Sequence, residues 1–148
     1  MLTGAVDMKL KQRGALIVEY VLILPLMIFL IFTSVYLGMV FHDYNAVNEV
    51  AREAARYGVV GNTDAAIKTA ALARCNDLLT KLYATSAEDI TVTRAEDSAL
   101  NSEKYLEVSI SARKVPEHSM GMIDEFLPNT LSAKVRMRIE LEPEDIKP

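Results

Sequence analysis

The hydrophobic and polar positions fall into four patterns along the chain. The first is an apolar run, residues 13–41, RGALIVEYVLILPLMIFLIFTSVYLGMVF, which holds one charge, Glu19, once Arg13 is set aside. From Tyr20 to Phe41 there are 22 residues with no Asp, Glu, Lys or Arg, and as a helix they reach about 33 Å, enough to cross a bilayer. The run is too long for the h-region of a cleaved secretory signal and ends in Phe41, His42 and Asp43 rather than a small-residue site, so it is expected to stay in the protein. Pro25 lies inside it and removes the N–H that would bond Val21, which predicts a kink or loosened turn; a tolerated transmembrane proline is the alternative.

The second pattern has helical spacing. Val47, Val50, Ala51, Ala54, Ala55 and Gly58 keep one face, opposite Glu49, Arg52, Glu53 and Arg56, so the span is predicted to continue outward as an amphipathic helix ended by Gly58 and Gly61. After the capping cluster Asn62, Thr63 and Asp64, the stripe Ile67, Ala70, Ala71, Cys75, Leu78, Leu79 and Leu82 predicts a second helix over 64–83. The third pattern alternates with period two. It predicts strands over 90–94, 105–113 and 131–142, the first two paired as a hairpin and the last with Ala133, Val135, Met137, Ile139 and Leu141 facing in. The fourth, residues 114–130 between Pro116 and Pro128, is irregular: a short helix over 119–127 and a packed loop both fit, with Met120, Met122, Ile123, Phe126 and Leu127 covering one end of the sheet. The fold class expected is α+β, a long N-terminal transmembrane helix continuing into an ectodomain of helices packed on a small antiparallel sheet of three strands.

Charge sets the orientation. Lys9, Lys11 and Arg13 precede the run, and no Lys or Arg follows it until Arg52, which predicts a cytoplasmic N-terminus and residues 42–148 outside. The division expected is a basic leader over 1–14, a transmembrane helix over 15–41 and one soluble domain over 42–148. In that last segment 13 Lys and Arg stand against 18 Asp and Glu, a net −5, which argues against nucleic acid as a partner. The single Cys75 has no intrachain partner, so the outer domain must be held by packing; a buried thiol is the default and an intermolecular disulfide the alternative.

Glu19 is the residue that most needs an explanation. An ionised carboxylate at the centre of a spanning helix costs on the order of 2.5–3.5 kcal/mol, so it must find a partner or the headgroups. As an acid near the end of the run it fits the headgroups; if the chain were cut after Gly14, the new amine of Ala15 would lie one helical turn away.

Arg13-Gly14, Ala15, an acid at the fifth position after the cut (Glu19), the aromatic Tyr20 and a long apolar helix resemble the processing signal of type IV prepilins and pseudopilins. RGALIVEYVLILPLMIFLIF with Pro25 six residues after Glu19, followed by AVNEVAREAARYGVV, resembles the TadE-like proteins of the tight-adherence pilus system more closely; the resemblance covers residues 13 to about 60. It implies a pilin-like fold, removal of the leader between Gly14 and Ala15 by a prepilin peptidase, and an assembly role for Glu19, paired with a neighbour's N-terminus. It also implies the partners: the bacterial inner membrane, the peptidase, other pilin-like subunits and the pilus machinery, in a homo- or hetero-oligomer. No cofactor is implied.

Motifs for catalysis are missing. His42 and His118 are far apart, with no HExxH spacing and too few Cys for a zinc set, and no GxSxG, Walker or GxGxxG sequence occurs. The acid pairs Glu96-Asp97 and Asp124-Glu125 lack calcium-loop spacing, and His42, next to Asp43 at the membrane exit, reads as an interfacial residue. Lys134, Arg136 and Arg138 share one face of the last strand, either as a solvated face paired with cross-strand acids or as a contact for a neighbouring subunit. The function expected is thus a structural, non-enzymatic subunit of a pilus. The rival is a signal-anchored binding or scaffolding module that is never processed.

Overall fold

The computed structural model describes residues 3–97, 103–118, 125 and 127–139; for residues 3–16 it describes the backbone. Helix α1 (Thr3–Val59) is followed by α2 (Asp64–Leu78) and the strands β1 (Tyr83–Ala84), β2 (Ile90–Asp97), β3 (Glu103–Lys114) and β4 (Thr130–Arg138), with 3-10 turns at Ala87–Asp89 and Pro116–His118. The class is α+β, as expected. Two compact units are present, Met1–Gly38 and Met39–Pro148.

In the first unit the apolar run is helical throughout, Pro25 included. The most apolar stretch of α1 is only 6% buried within the chain, whereas the core helix of a soluble domain would be largely covered by its own protein. Thr33 and Ser34 donate their hydroxyls to the carbonyls of Phe29 and Leu30, both at 2.8 Å, so these polar groups need no water in an apolar surrounding.

The second unit begins at Met39, and its part of α1 buries the small-residue face that the spacing predicts. Val47, Val50, Ala51, Ala54 and Ala55 are all within 3% of full burial. Gly58 is where the contact is closest: a Cβ there would fall on Leu106 Cδ2 and lie 2.7 Å from Ile67 Cδ1. Only glycine lets α1 sit this near to α2 and β3. The chain then turns through Gly61, whose φ of 95° is left-handed.

Helix α2 opens on Thr63, whose hydroxyl accepts the Ala66 N–H at 3.4 Å, and buries Ile67, Ala71 and Cys75. It stops at Leu78, short of the predicted Tyr83, because Leu79 is extended (φ −70°, ψ 140°) and the next N–H, that of Thr80, goes to a side chain instead of to the helix. Leu82 is buried as expected, but from an extended segment, and Tyr83 beside it is buried too. Ala70, expected in the buried stripe, is exposed.

The sheet has four strands rather than three. β3 is central: β4 pairs along one edge (Tyr105↔Arg138 to Arg113↔Thr130), and β2 (Ile90↔Ile110 to Asp97↔Glu103) and the short β1 (Tyr83↔Lys114) share the other. All pairs are antiparallel, and β2 and β3 are adjacent as the hairpin reading required. Leu106, Val108, Ile110 and Ala112 of β3 are completely buried, with Ile90, Leu131 and Ala133 beside them. β2 runs to Asp97, beyond the predicted Arg94, since its ladder with β3 continues through polar residues that carry no alternation signal. The predicted element over 119–127 lies outside the described residues apart from Glu125 and Leu127, of which Leu127 is buried; residues 140–142 of the predicted last strand lie outside them as well.

Candidate assembly site

The residues singled out around the start of the span lie on one helix. Lys9, Lys11, Arg13, Gly14 and Ala15 all fall within α1, and Glu19 and Tyr20 are exposed among equally exposed Ile17, Val18 and Val21. Ala15 and Glu19 are separated by one turn, a rise of about 6 Å, and therefore share a face. No described side chain forms an ion pair or hydrogen bond with Glu19. The span thus presents a single carboxylate on a surface of Ile, Val, Leu and Phe, where an amine from outside the chain can reach it.

The strip on β4 has partners of its own. Lys134 Nζ is 2.9 Å from Glu107 Oε1, Arg136 Nε is 3.9 Å from Glu107 Oε2, and the Arg136 guanidinium lies 3.6 Å from the centre of the Tyr105 ring. Glu107 and Tyr105 face these residues because β3 and β4 pair Glu107↔Arg136 and Tyr105↔Arg138. Arg138 is engaged too. Of the two readings of this strip, the geometry favours a solvated face paired with cross-strand acids.

A buried polar site at the end of α2 was not anticipated. His42 is exposed, whereas its neighbour Asp43 is completely buried. Its Oδ1 accepts the Thr80 N–H at 2.8 Å and its Oδ2 accepts the Thr80 hydroxyl at 2.6 Å, while His42 Nδ1, on the exposed neighbour, stands 3.4 Å from Oδ1. The Thr80 oxygen in turn accepts the Leu82 N–H at 3.3 Å, and the Leu82 carbonyl accepts the Val115 N–H at 2.9 Å. One carboxylate on α1 therefore ends α2 and fixes the path by which the chain enters β1 and reaches the end of β3. A signal was present in the sequence: Asp43 lies four residues before Val47 and seven before Val50, on the apolar face.

Arg94 is a second clasp. It belongs to the covered face of β2, with Ile90 and Val92, and at the end of that row its Nε donates to Asp64 Oδ1 at 2.8 Å and its Nη2 to the Asn62 carbonyl at 2.7 Å. The guanidinium thereby holds the turn between α1 and α2 and the first residue of α2. Asp89 closes a third link. Its Oδ2 accepts from the Ser86 hydroxyl at 2.6 Å and its Oδ1 lies 2.7 Å from Arg113 Nη2. The Ser86 hydroxyl first, and then the Ser86 N–H and the Arg113 charge, hold the Asp89 carboxyl below its ordinary range. Cys75 is fully enclosed, and burial pushes its thiol up.

Against this geometry, comparison with known families is decisive for one segment: residues 14–56 match the model of the TadE-like protein family. Over that segment the chain is similar to TadE-like proteins. The match begins at Gly14, takes in Glu19, Pro25 and Asp43, and ends two residues before the glycine of the α1–β3 contact. No curated protein and no solved structure matches the chain. The TadE-like segment begins at the head of α1, the one described helix long and apolar enough to cross a membrane.

Proposed function

We propose that this chain is a TadE-like structural pilus subunit: inserted in the inner membrane with its N-terminus cytoplasmic, cut between Gly14 and Ala15 by a prepilin peptidase, and drawn into a pilus by its apolar helix. The observation that carries the reading is the span itself, uncovered by its own chain and marked by one carboxylate without a described partner. Cleavage creates an ammonium group at Ala15, which is the complement Glu19 lacks. When a subunit joins a bundle of like helices, the Ala15 amine of one copy meets Glu19 of another, and the cost of holding an unpaired charge in an apolar surrounding, on the order of 2.5–3.5 kcal/mol, falls away. Lipid-facing side chains exchange one apolar neighbour for another, so the charge pair selects when and where the helices join.

Intact mass of the membrane-extracted chain from cells carrying the peptidase tests the processing step: a chain lacking residues 1–14 is expected, and retention of the leader refutes it. Glu19→Gln is expected to insert and be processed normally yet to yield few filaments. Normal filament yield from that variant would leave Glu19 a tolerated headgroup acid and the chain a tethered module.

A further inference from the structure

Beyond the span, the solvent-facing side of α1 carries charges that no described residue of the chain pairs. Asn45, Asn48, Glu49, Arg52, Glu53 and Arg56 line an open trough walled on one side by Arg74 of α2. Glu53 is engaged by Arg74 at 3.2 Å, and Arg74 also lies 3.7 Å from Asp77. Glu49, Arg52 and Arg56 make no ion pair or side-chain hydrogen bond among the described residues, although Glu49 and Arg52 are at a spacing that permits one.

The arrangement of these charges specifies what can lie on them. At about 100° per residue, Arg52 sits roughly 60° to one side of Glu49, and Arg56 sits the same way from Glu53. The face is therefore an acidic stripe beside a basic stripe. Copies inserted in one membrane with the same topology meet with these segments running in the same sense. In register, Glu49 would face Glu49 and Arg52 would face Arg52. A displacement of four residues sets Glu49 against Glu53 and Arg52 against Arg56. A displacement of three, about 4.5 Å along the axis, sets both arginines against both glutamates.

Resting on the subunit reading above, we infer that this face binds a second copy of the same chain, displaced by three residues, with Arg52 and Arg56 of one copy on Glu49 and Glu53 of the next. The contact is heterologous: each copy uses its basic stripe on one neighbour and leaves its acidic stripe for another, so it propagates instead of closing into a pair. Exposed ion pairs are individually weak, and the apolar spans hold the helices together; the charges select the stagger.

Asn45 and Asn48 are uncharged reporters on the same face, three residues apart. The full-length chain is expressed in membranes as Asn45→Cys, as Asn48→Cys and as an equal mixture of the two, and oxidised; Cys75, being fully enclosed, stays out of the reaction. The mixture is expected to give dimers that neither variant gives alone. Arg52→Glu should lower that yield roughly two- to fivefold, the scale of one exposed pair turned repulsive, and Glu49→Arg combined with Arg52→Glu should restore it. Equal or stronger dimers from either single variant would establish an in-register contact and overturn the inference, as would the absence of dimers in all three samples. Intact mass of the same membranes reports leader removal independently, so failure of the stagger is distinguishable from failure of the processing reading.

Discussion

Replacing Asp43 by alanine is the most direct probe of how the outer unit is held. The carboxylate is completely buried and accepts two hydrogen bonds from Thr80, at 2.8 Å and 2.6 Å. Hydrogen bonds to a charged group contribute about 1.5–3 kcal/mol each. Thr80 is only partly buried, so water recovers some of what its N–H and O–H lose. The loss expected for Asp43→Ala is therefore about 2–3 kcal/mol rather than the sum of two full bonds. Asp43→Asn keeps the shape and at least one acceptor and should lose about 1 kcal/mol. Thr80→Val removes the hydroxyl alone, and because it shares its partner with Asp43 the double variant should be less destabilised than the two single losses added together. The assay is chemical denaturation of the full chain in micelles, followed by pulse proteolysis of the outer unit, since helix content of the span would dominate a circular dichroism signal. Stability of Asp43→Ala within about 0.5 kcal/mol of the parent, the scatter of ordinary surface changes, would refute the idea that this carboxylate organises the end of α2 and the entry to β1.

Gly58→Ala should destabilise by about 1–2 kcal/mol, because overpacking against Leu106 and Ile67 outweighs the roughly 0.5–1 kcal/mol that alanine gains over glycine in a helix; Gly38→Ala, with nothing within 4 Å, is the control expected to be neutral in the same assay. Asp89, whose carboxyl is held low, stabilises the fold above the ordinary carboxylate range and loses that contribution as pH falls through its folded value. The stability gap between the parent and Asp89→Asn should accordingly be level near neutrality and shrink below about pH 4; a gap that widens in acid would contradict the assigned bonds. Cys75 should react with an alkylating agent roughly a thousandfold or more slowly in the native chain than in denaturant, tracking global opening of a domain of ordinary stability. Rapid native labelling would show that α2 leaves the sheet far more readily than its packing implies.

How much was legible in the residues depends on how far apart the interacting groups are along the chain. The α1 stripe from Val47 to Gly58 and the inward row of β3 were readable because helix and strand periods repeat locally. The end of α2 was not: the leucines after Leu78 continue a helical spacing, and what stops the helix is a carboxylate 37 residues earlier. β1 was missed for a related reason. Two residues carry no period, and Tyr83 and Ala84 become a strand only because Leu82 is tied to Val115 and β3 has a free edge there. The strip on β4 was read correctly as one face, but its partner, Glu107, became identifiable only when the register of β3 and β4 was known.

By itself the chain determined the membrane span, the charge asymmetry across it, the lone carboxylate at Glu19, the α+β class and the faces each long element buries, since all of these are set by residues a few positions apart. Tertiary structure alone decided that Asp43 is an interior anchor, that Arg94 clasps the α1–α2 turn and that Glu49, Arg52 and Arg56 meet no ion-pair partner among the described residues. The physical reason is that a polar side chain's environment is fixed by whichever distant segment packs beside it, and local periodicity records the face a residue occupies but not the group that will meet it there.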